Sequence, residues 1–264
     1  MKKKFSFGDF ALNILKCFAY FITWYGVSNV VVALYQICFR HFTGTNDLDI
    51  INNAYQTHSV ALTIIANCLT IFIFIYAYKK KGITLFERVN LKRTKISTGI
   101  HSVIFGMAFL LVINLFLILL AKFAPPEWFT AHNEQNIGLT TANSTIRFLA
   151  VAFIAPFTEE ILFRGLIASA LERSLPRWIA IIISSLIFGL VHGTIISLIY
   201  ASILGIVMCW LYFKTGSLLS SILFHMGFNI LSDFLTGESI SLLLVGLSCL
   251  VVIYEIINFN RLKR

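Results

Sequence analysis

The stretch Glu159-Glu160-Ile161-Leu162-Phe163-Arg164 decides how this chain is read. Two carboxylates and a guanidinium stand inside an apolar run from about Thr145 to Leu171, and two later apolar runs each carry one histidine, His192 and His225. Ionisable groups are costly in hydrocarbon, and those found there usually face a protein interior or a water-filled cavity. They mark a candidate functional site if the runs around them are membrane helices.

The composition says that they are. Of 264 residues, 58% are hydrophobic and only 12% charged, with a mean hydropathy of +0.85; an ordinary soluble domain carries roughly 25% charged residues. A bilayer core of roughly 30 Å needs about 20 apolar residues per helix. Eight segments approach that length: Phe10 to Phe39, His58 to Tyr78, Ile100 to Phe123, Thr145 to Leu171, Trp178 to Ser197, Leu198 to Phe213, Leu218 to Leu235 and Ser241 to Ile257. The fold expected is an all-α polytopic membrane bundle of about eight transmembrane helices. It forms a single integral membrane domain over 1–264, with a catalytic core at 145–235. Met1-Lys2-Lys3-Lys4 leads into the first apolar segment with no small-residue cleavage site soon after, which reads as a retained helix rather than a signal peptide.

With eight spans both termini lie on one side, and 17 of the 21 Lys and Arg residues then fall at that face. The densest group is Lys79, Lys80, Lys81, Arg88, Lys92, Arg93 and Lys95; only Arg40 and Lys122 fall at the other face. The positive-inside rule makes the first face cytoplasmic. The excess of basic charge is thus a topology signal, and no nucleic-acid partner is called for; the Lys79 to Lys95 loop could also touch anionic lipid. The five cysteines lack Cys-x-x-Cys spacing and read as small core residues.

Helix phase separates the two glutamates. Glu160 and Arg164 are four apart, acid first, which suits an ion pair on one face; Glu159 lies about 100° around the helix and is left to act. Pro156 should bend this helix beside Glu159. The same spacing puts Phe188 over His192 and His225 over Asn229. Taking 1.5 Å per residue, Glu159, His192, His225 and Asn229 are expected within about 6 Å of the midplane. Each has a plain reading, since a membrane histidine can simply bond a backbone carbonyl and an Asn can join two helices. Together they suggest convergence. His41, His58, His101 and His132 fall at span ends or in loops and read as solvated, as do Asp233 and Glu238; Lys16, Asn67, Asn114 and Arg147 read as packing or snorkelling groups.

Glu-Glu-x-x-x-Arg (Glu159, Glu160, Arg164), then Phe-x-x-x-His (Phe188, His192), then His-x-x-x-Asn (His225, Asn229), on separate apolar spans, resembles the CAAX-protease and bacteriocin-processing family, also called Abi. These are intramembrane endopeptidases, among them the type that trims prenylated proteins. The resemblance implies that Glu159 and His192 activate a water and that His225 and Asn229 hold the oxyanion, with Glu160, Arg164 and Phe188 as structural support. It implies a membrane-associated protein or peptide substrate and a bacterial plasma membrane. A metal-free glutamate mechanism is favoured, because Asn is an unusual zinc ligand and His-Glu-x-x-His is absent. Zinc held by Glu159, His192 and His225 is the competing chemistry. A bacteriocin self-immunity protein that keeps the fold without proteolysis is the alternative function, and a proton-coupled transporter a third.

Overall fold

The computed structural model describes residues 6–135, 143–235 and 242–262. Among these residues every regular element is helical. Helices α1 (Phe7–Thr43) and α2 (Leu48–Lys79) form a long antiparallel pair, α3 (Leu85–Arg88) is a single turn, and α4 (Ile96–Leu120) follows. A short helix, α5 (Pro126–Gln135), precedes α6 (144–172), α7 (Arg177–Leu190), α8 (Ile195–Thr215), α9 (Leu218–Phe234) and α10 (Leu242–Arg261). Each apolar segment of the sequence thus contributes a helix. Glu238, Lys2 to Lys4, Lys263 and Arg264 lie outside the described residues.

The boundaries follow local chemistry. The Asp47 carboxylate caps α2 by accepting from the N–H groups of Asp49 and Ile50, and Ser217 caps α9 by accepting from Leu219. Helices α1 and α8 end at Gly44 and Gly216, both at φ 69°, where a left-handed C-cap favours glycine. The α7–α8 junction falls earlier than the sequence suggested. Gly193 adopts φ 84° and Thr194 caps α8 through the Ser197 N–H, so α7 stops at Leu190 rather than at Ser197. His192 therefore sits in a turn at a helix end, not inside a span.

By length and hydropathy, five helices (α1, α2, α4, α8 and α10) can cross a bilayer. Their outward faces are apolar, as with Phe18, Ile22, Phe72 and Ile253, which is what lipid contact requires. Helices α7 and α9 have 14 and 17 residues, so they extend only ~21 and ~26 Å. A tally of eight crossings therefore rests on shorter helices than the sequence reading assumed. Of the cysteines, Cys17 and Cys209 are buried as expected, but Cys38 and Cys68 are exposed.

Helix α6 forms the centre of the bundle. It is α-helical at Ala155–Glu159 but π-helical on both sides, over Ala150–Ile154 and Glu160–Ala168. Pro156 has no N–H to give the carbonyl four residues earlier, and next to it the ladder widens, with Ala155 N–H bonding Ala150 O. π turns often mark functional sites. All nine residues from Glu160 to Ala168 are buried, so a widened helix hides both its apolar and its charged side chains.

Helices α4 and α9 pack closely through glycine. A Cβ on Gly106 would run into the Phe224 carbonyl and come within 2.9 Å of Phe228 N; one on Gly227 would run into the Val103 carbonyl. Small residues allow this backbone approach in membrane bundles. Gly106→Ala is expected to destabilise the protein by about 1–3 kcal/mol, as overpacking does. Detergent-solubilised thermal unfolding checks this, and an unchanged midpoint would contradict the packing described.

Candidate functional site

Helices α6, α7 and α9 bring the polar set together, and Glu160 is its hub. Glu160 is fully buried, and its Oε1 accepts from Arg164 Nη1 at 2.8 Å and faces His225 Nδ1 at 3.0 Å. Its Oε2 accepts from the Ser221 hydroxyl. The ion pair read from helix phase is present, with both side chains essentially inaccessible. Arg164 Nη2 is buried with no hydrogen-bond partner among the described residues; the guanidinium instead lies 4.2 Å from the Phe188 ring centroid, a cation–π contact. Phe188 also meets Phe163, His192 and His225 edge-on, at centroid distances of 5.1, 4.7 and 6.0 Å. One aromatic ring thus spaces the two imidazoles and covers the buried cation.

Glu159 is the accessible acid. Its side chain is 20% exposed, and its Oε2 lies 3.9 Å from His225 Nε2, too far for a hydrogen bond. No His192 nitrogen lies within 4.0 Å of Glu159, so the geometry pairs this carboxylate more closely with His225 than with the His192 of the sequence reading. Asn229 Nδ2 donates to the Val151 carbonyl in the first π turn of α6, at 2.8 Å. One amide hydrogen is thereby used and a second remains.

The imidazoles have defined faces. His192 Nδ1 lies 2.7 Å from the Phe188 carbonyl, which can only accept, so Nδ1 carries a proton and the neutral ring offers Nε2 as an acceptor. His225 Nδ1 faces a carboxylate in the same way, leaving Nε2 directed toward Glu159. His225 can donate from Nε2 only as the imidazolium, whose charge would lie between Glu160 and Glu159. Two histidines and a carboxylate are a plausible zinc donor set in type, yet among the described residues no three His, Cys, Asp or Glu side chains are grouped to hold a metal ion.

Glu255, which the sequence reading passed over, and three residues it reads as solvated have polar partners in the structure. Glu255 is 1% exposed, and its Oε1 lies 2.8 Å from His101 Nδ1, joining α10 to α4; His101 is thus not simply solvated. Asp233 is not simply solvated either: it accepts from Arg147 Nε at 2.9 Å. His132 on α5 lies 3.1 Å from Ser197 Oγ, and burial holds its imidazole below the ordinary histidine range. This places α5 over the turn that carries His192. A crevice of about 440 Å³, lined among others by Tyr55, Ser59, Thr63, Glu134 and Val151, opens between α2, α5 and the first π turn of α6. Val151, whose carbonyl Asn229 holds, is among its lining residues.

One comparison with known proteins covers the same residues. Residues 141–231 match the family model described as Type II CAAX prenyl endopeptidase Rce1-like. Among curated proteins, "Putative membrane peptidase YdiL" of Bacillus subtilis (strain 168) is 31% identical over 84 residues, which cover 32% of this chain and 34% of that protein. The chain thus aligns with about a third of the length of this relative. No solved structure matches it significantly. Glu159, Glu160, Arg164, Phe188, His192, His225 and Asn229 all fall within the matched segment. Residues 141–231 of this membrane helix bundle are thus similar to the Rce1-like family.

Proposed function

We propose that the chain is an intramembrane endopeptidase that hydrolyses a peptide bond in a lipidated or membrane-embedded protein or peptide. The observation that carries this reading is the convergence, inside the family-matched segment, of one accessible carboxylate with imidazoles whose Nδ1 atoms are already engaged. Peptide hydrolysis needs a base for water and donors where negative charge develops. Glu159 takes a proton from water as the water oxygen bonds to the scissile carbonyl carbon. The carbonyl oxygen becomes an oxyanion, which the protonated His225 Nε2–H and the second Asn229 N–H stabilise. The C–N bond then breaks, and the leaving amine receives the proton held by Glu159. His192 Nε2 accepts a hydrogen bond from the attacking water and orients it. The peptide approaches along the crevice between α2, α5 and α6, whose hydroxyl-rich lining suits an extended backbone.

Metal is not required in this scheme. The setting proposed is a bacterial plasma membrane with the basic end of the bundle cytoplasmic. The family match is to peptidases, and no observation favours the self-immunity reading. Purified protein is expected to cleave a prenylated peptide near its C-terminus, with activity unchanged by EDTA or 1,10-phenanthroline. Loss on chelation with recovery on adding zinc would instead assign Glu159, His192 and His225 as ligands. No cleavage of lipidated or membrane-embedded peptides by folded protein would overturn the peptidase reading.

A further inference from the structure

The basic end of the bundle contains a crevice that peptide hydrolysis does not use. A cavity of about 240 Å³ lies where α1, α2, α3 and the end of α6 meet; Lys16, Lys81, Arg88, Arg173, Tyr20 and Tyr78 line it, and no carboxylate does. Among the described residues, none of its four cations has a carboxylate within 4.0 Å. Lys16 Nζ lies 3.4 Å from Asn13 Oδ1, Lys81 lies over the Tyr78 ring, and Arg88 Nη1 donates to Ser169 Oγ at 3.0 Å. The Tyr20 and Tyr78 hydroxyls bond each other at 2.5 Å. Whichever of the two accepts keeps its own hydrogen to give to a ligand oxygen.

Arg88 and Arg173 also line a second, larger cavity of about 650 Å³, where the acids are already engaged. Glu172 accepts from Arg177 at 2.5 Å, and Glu87 Oε2 accepts from the Thr84 backbone and hydroxyl. Clustered cations with their local acids occupied favour a phosphate-bearing anion. The other side of the small cavity shows where such an anion comes from. Ile83 lines both it and a mainly apolar furrow of about 610 Å³, where Ile75, Leu85 and Phe86 stand beside Lys79, Thr84 and Glu87. Ile83 and Phe86 are 42% and 41% exposed. A free phosphate has no use for that apolar extension, whereas a phospholipid places an acyl chain there.

We propose that this crevice binds the headgroup phosphate of an anionic phospholipid, with an acyl chain along Ile75, Ile83 and Phe86. Lys81, Arg173 and Arg88, the last held by Ser169, meet the phosphate. The site stands at the end of α6 away from Glu159, and it does not depend on the peptidase reading.

Native mass spectrometry of the full chain in neutral detergent, titrated with phosphatidylglycerol or phosphatidylcholine, tests it. Phosphatidylglycerol adducts should form at about a tenth or less of the concentration that phosphatidylcholine needs, and Lys81→Gln/Arg173→Gln should weaken them about 25-fold, roughly fivefold per cation removed. Both side chains are exposed, so the fold should persist; if the double variant fails to elute as monodisperse protein, the single variants are each read for the fivefold loss. Lys92→Gln/Arg93→Gln removes two exposed cations outside the cavity and should change binding less than twofold. Equal retention of the two lipids, or unchanged binding in the cavity variants, would overturn the site. An equal loss in Lys92→Gln/Arg93→Gln would show diffuse surface charge instead. If glycerol 3-phosphate or inorganic phosphate binds as tightly as phosphatidylglycerol, the lipid assignment fails in favour of free phosphate.

Discussion

Glu159→Gln is expected to lower peptide cleavage by about 10²–10⁴-fold, the range that a positioned general base supplies, while leaving the protein inserted and folded. The amide has nearly the same shape and cannot take the water proton. Stability should change by less than about 1 kcal/mol, because a partly exposed charge with no close partner contributes little; Glu159 is 20% exposed, and His225 Nε2 is 3.9 Å away. Single-turnover cleavage of a lipidated peptide, beside thermal unfolding of the same preparation, separates the two quantities. Full turnover would remove Glu159 from the chemistry. Equal losses of folding and turnover would make it a structural acid and return the choice of base to His192.

Helix phase carried the central part of the site from sequence to structure. Four-residue spacing is enough to predict that Glu160 meets Arg164, because both positions lie on one helix and the distance depends only on local geometry. It is not enough to predict that His225 Nδ1 meets the same carboxylate oxygen, which is a contact between helices 65 residues apart in the chain. The expected role of Glu160 as partner of Arg164 was therefore incomplete. Depth arguments fail for a related reason. Counting residues along an unbroken helix puts His192 near the midplane, but Gly193 and Thr194 end α7 and start α8 around it. Glycine followed by a capping Thr was a readable signal, outweighed by the continuous hydrophobicity on either side.

Glu255 was legible by the rule that singled out Glu159, since it is a lone carboxylate in an apolar run. Its partner His101 lies at the start of α4, and no sequence periodicity connects the two. The π turns of α6 were half legible. Pro156 announced a local departure from α geometry, but hydrogen bonds that widen on both sides of a proline depend on how the neighbouring helices pack. Asn229 holding Val151 shows that dependence, because a side chain from α9 binds a carbonyl within the first π turn.

Glu160→Gln should be the more destructive substitution for the fold, and by a different route. It leaves Arg164, 1% exposed, without its counter-charge, and stranding one member of a buried pair costs about 3–5 kcal/mol. Abundance in the membrane and the unfolding midpoint in detergent should both fall, and activity with them. That result alone would not distinguish a structural acid from one that also aims His225. Replacing the pair together, as Glu160→Met/Arg164→Leu, makes the distinction. Apolar residues of similar volume often restore or exceed the stability of a buried ion pair, because neither charge is then left in low dielectric. The double variant should therefore recover most of the lost stability. In this variant His225 Nδ1 has lost its acceptor, and the ring would be free to turn its Nε2 away from Glu159, so cleavage should stay low by at least about tenfold, as for lost orienting partners of histidine. Recovery of stability together with full activity would reduce Glu160 to an ion-pair partner. Recovery of stability without activity would make it the residue through which the buried charges of α6 position the site.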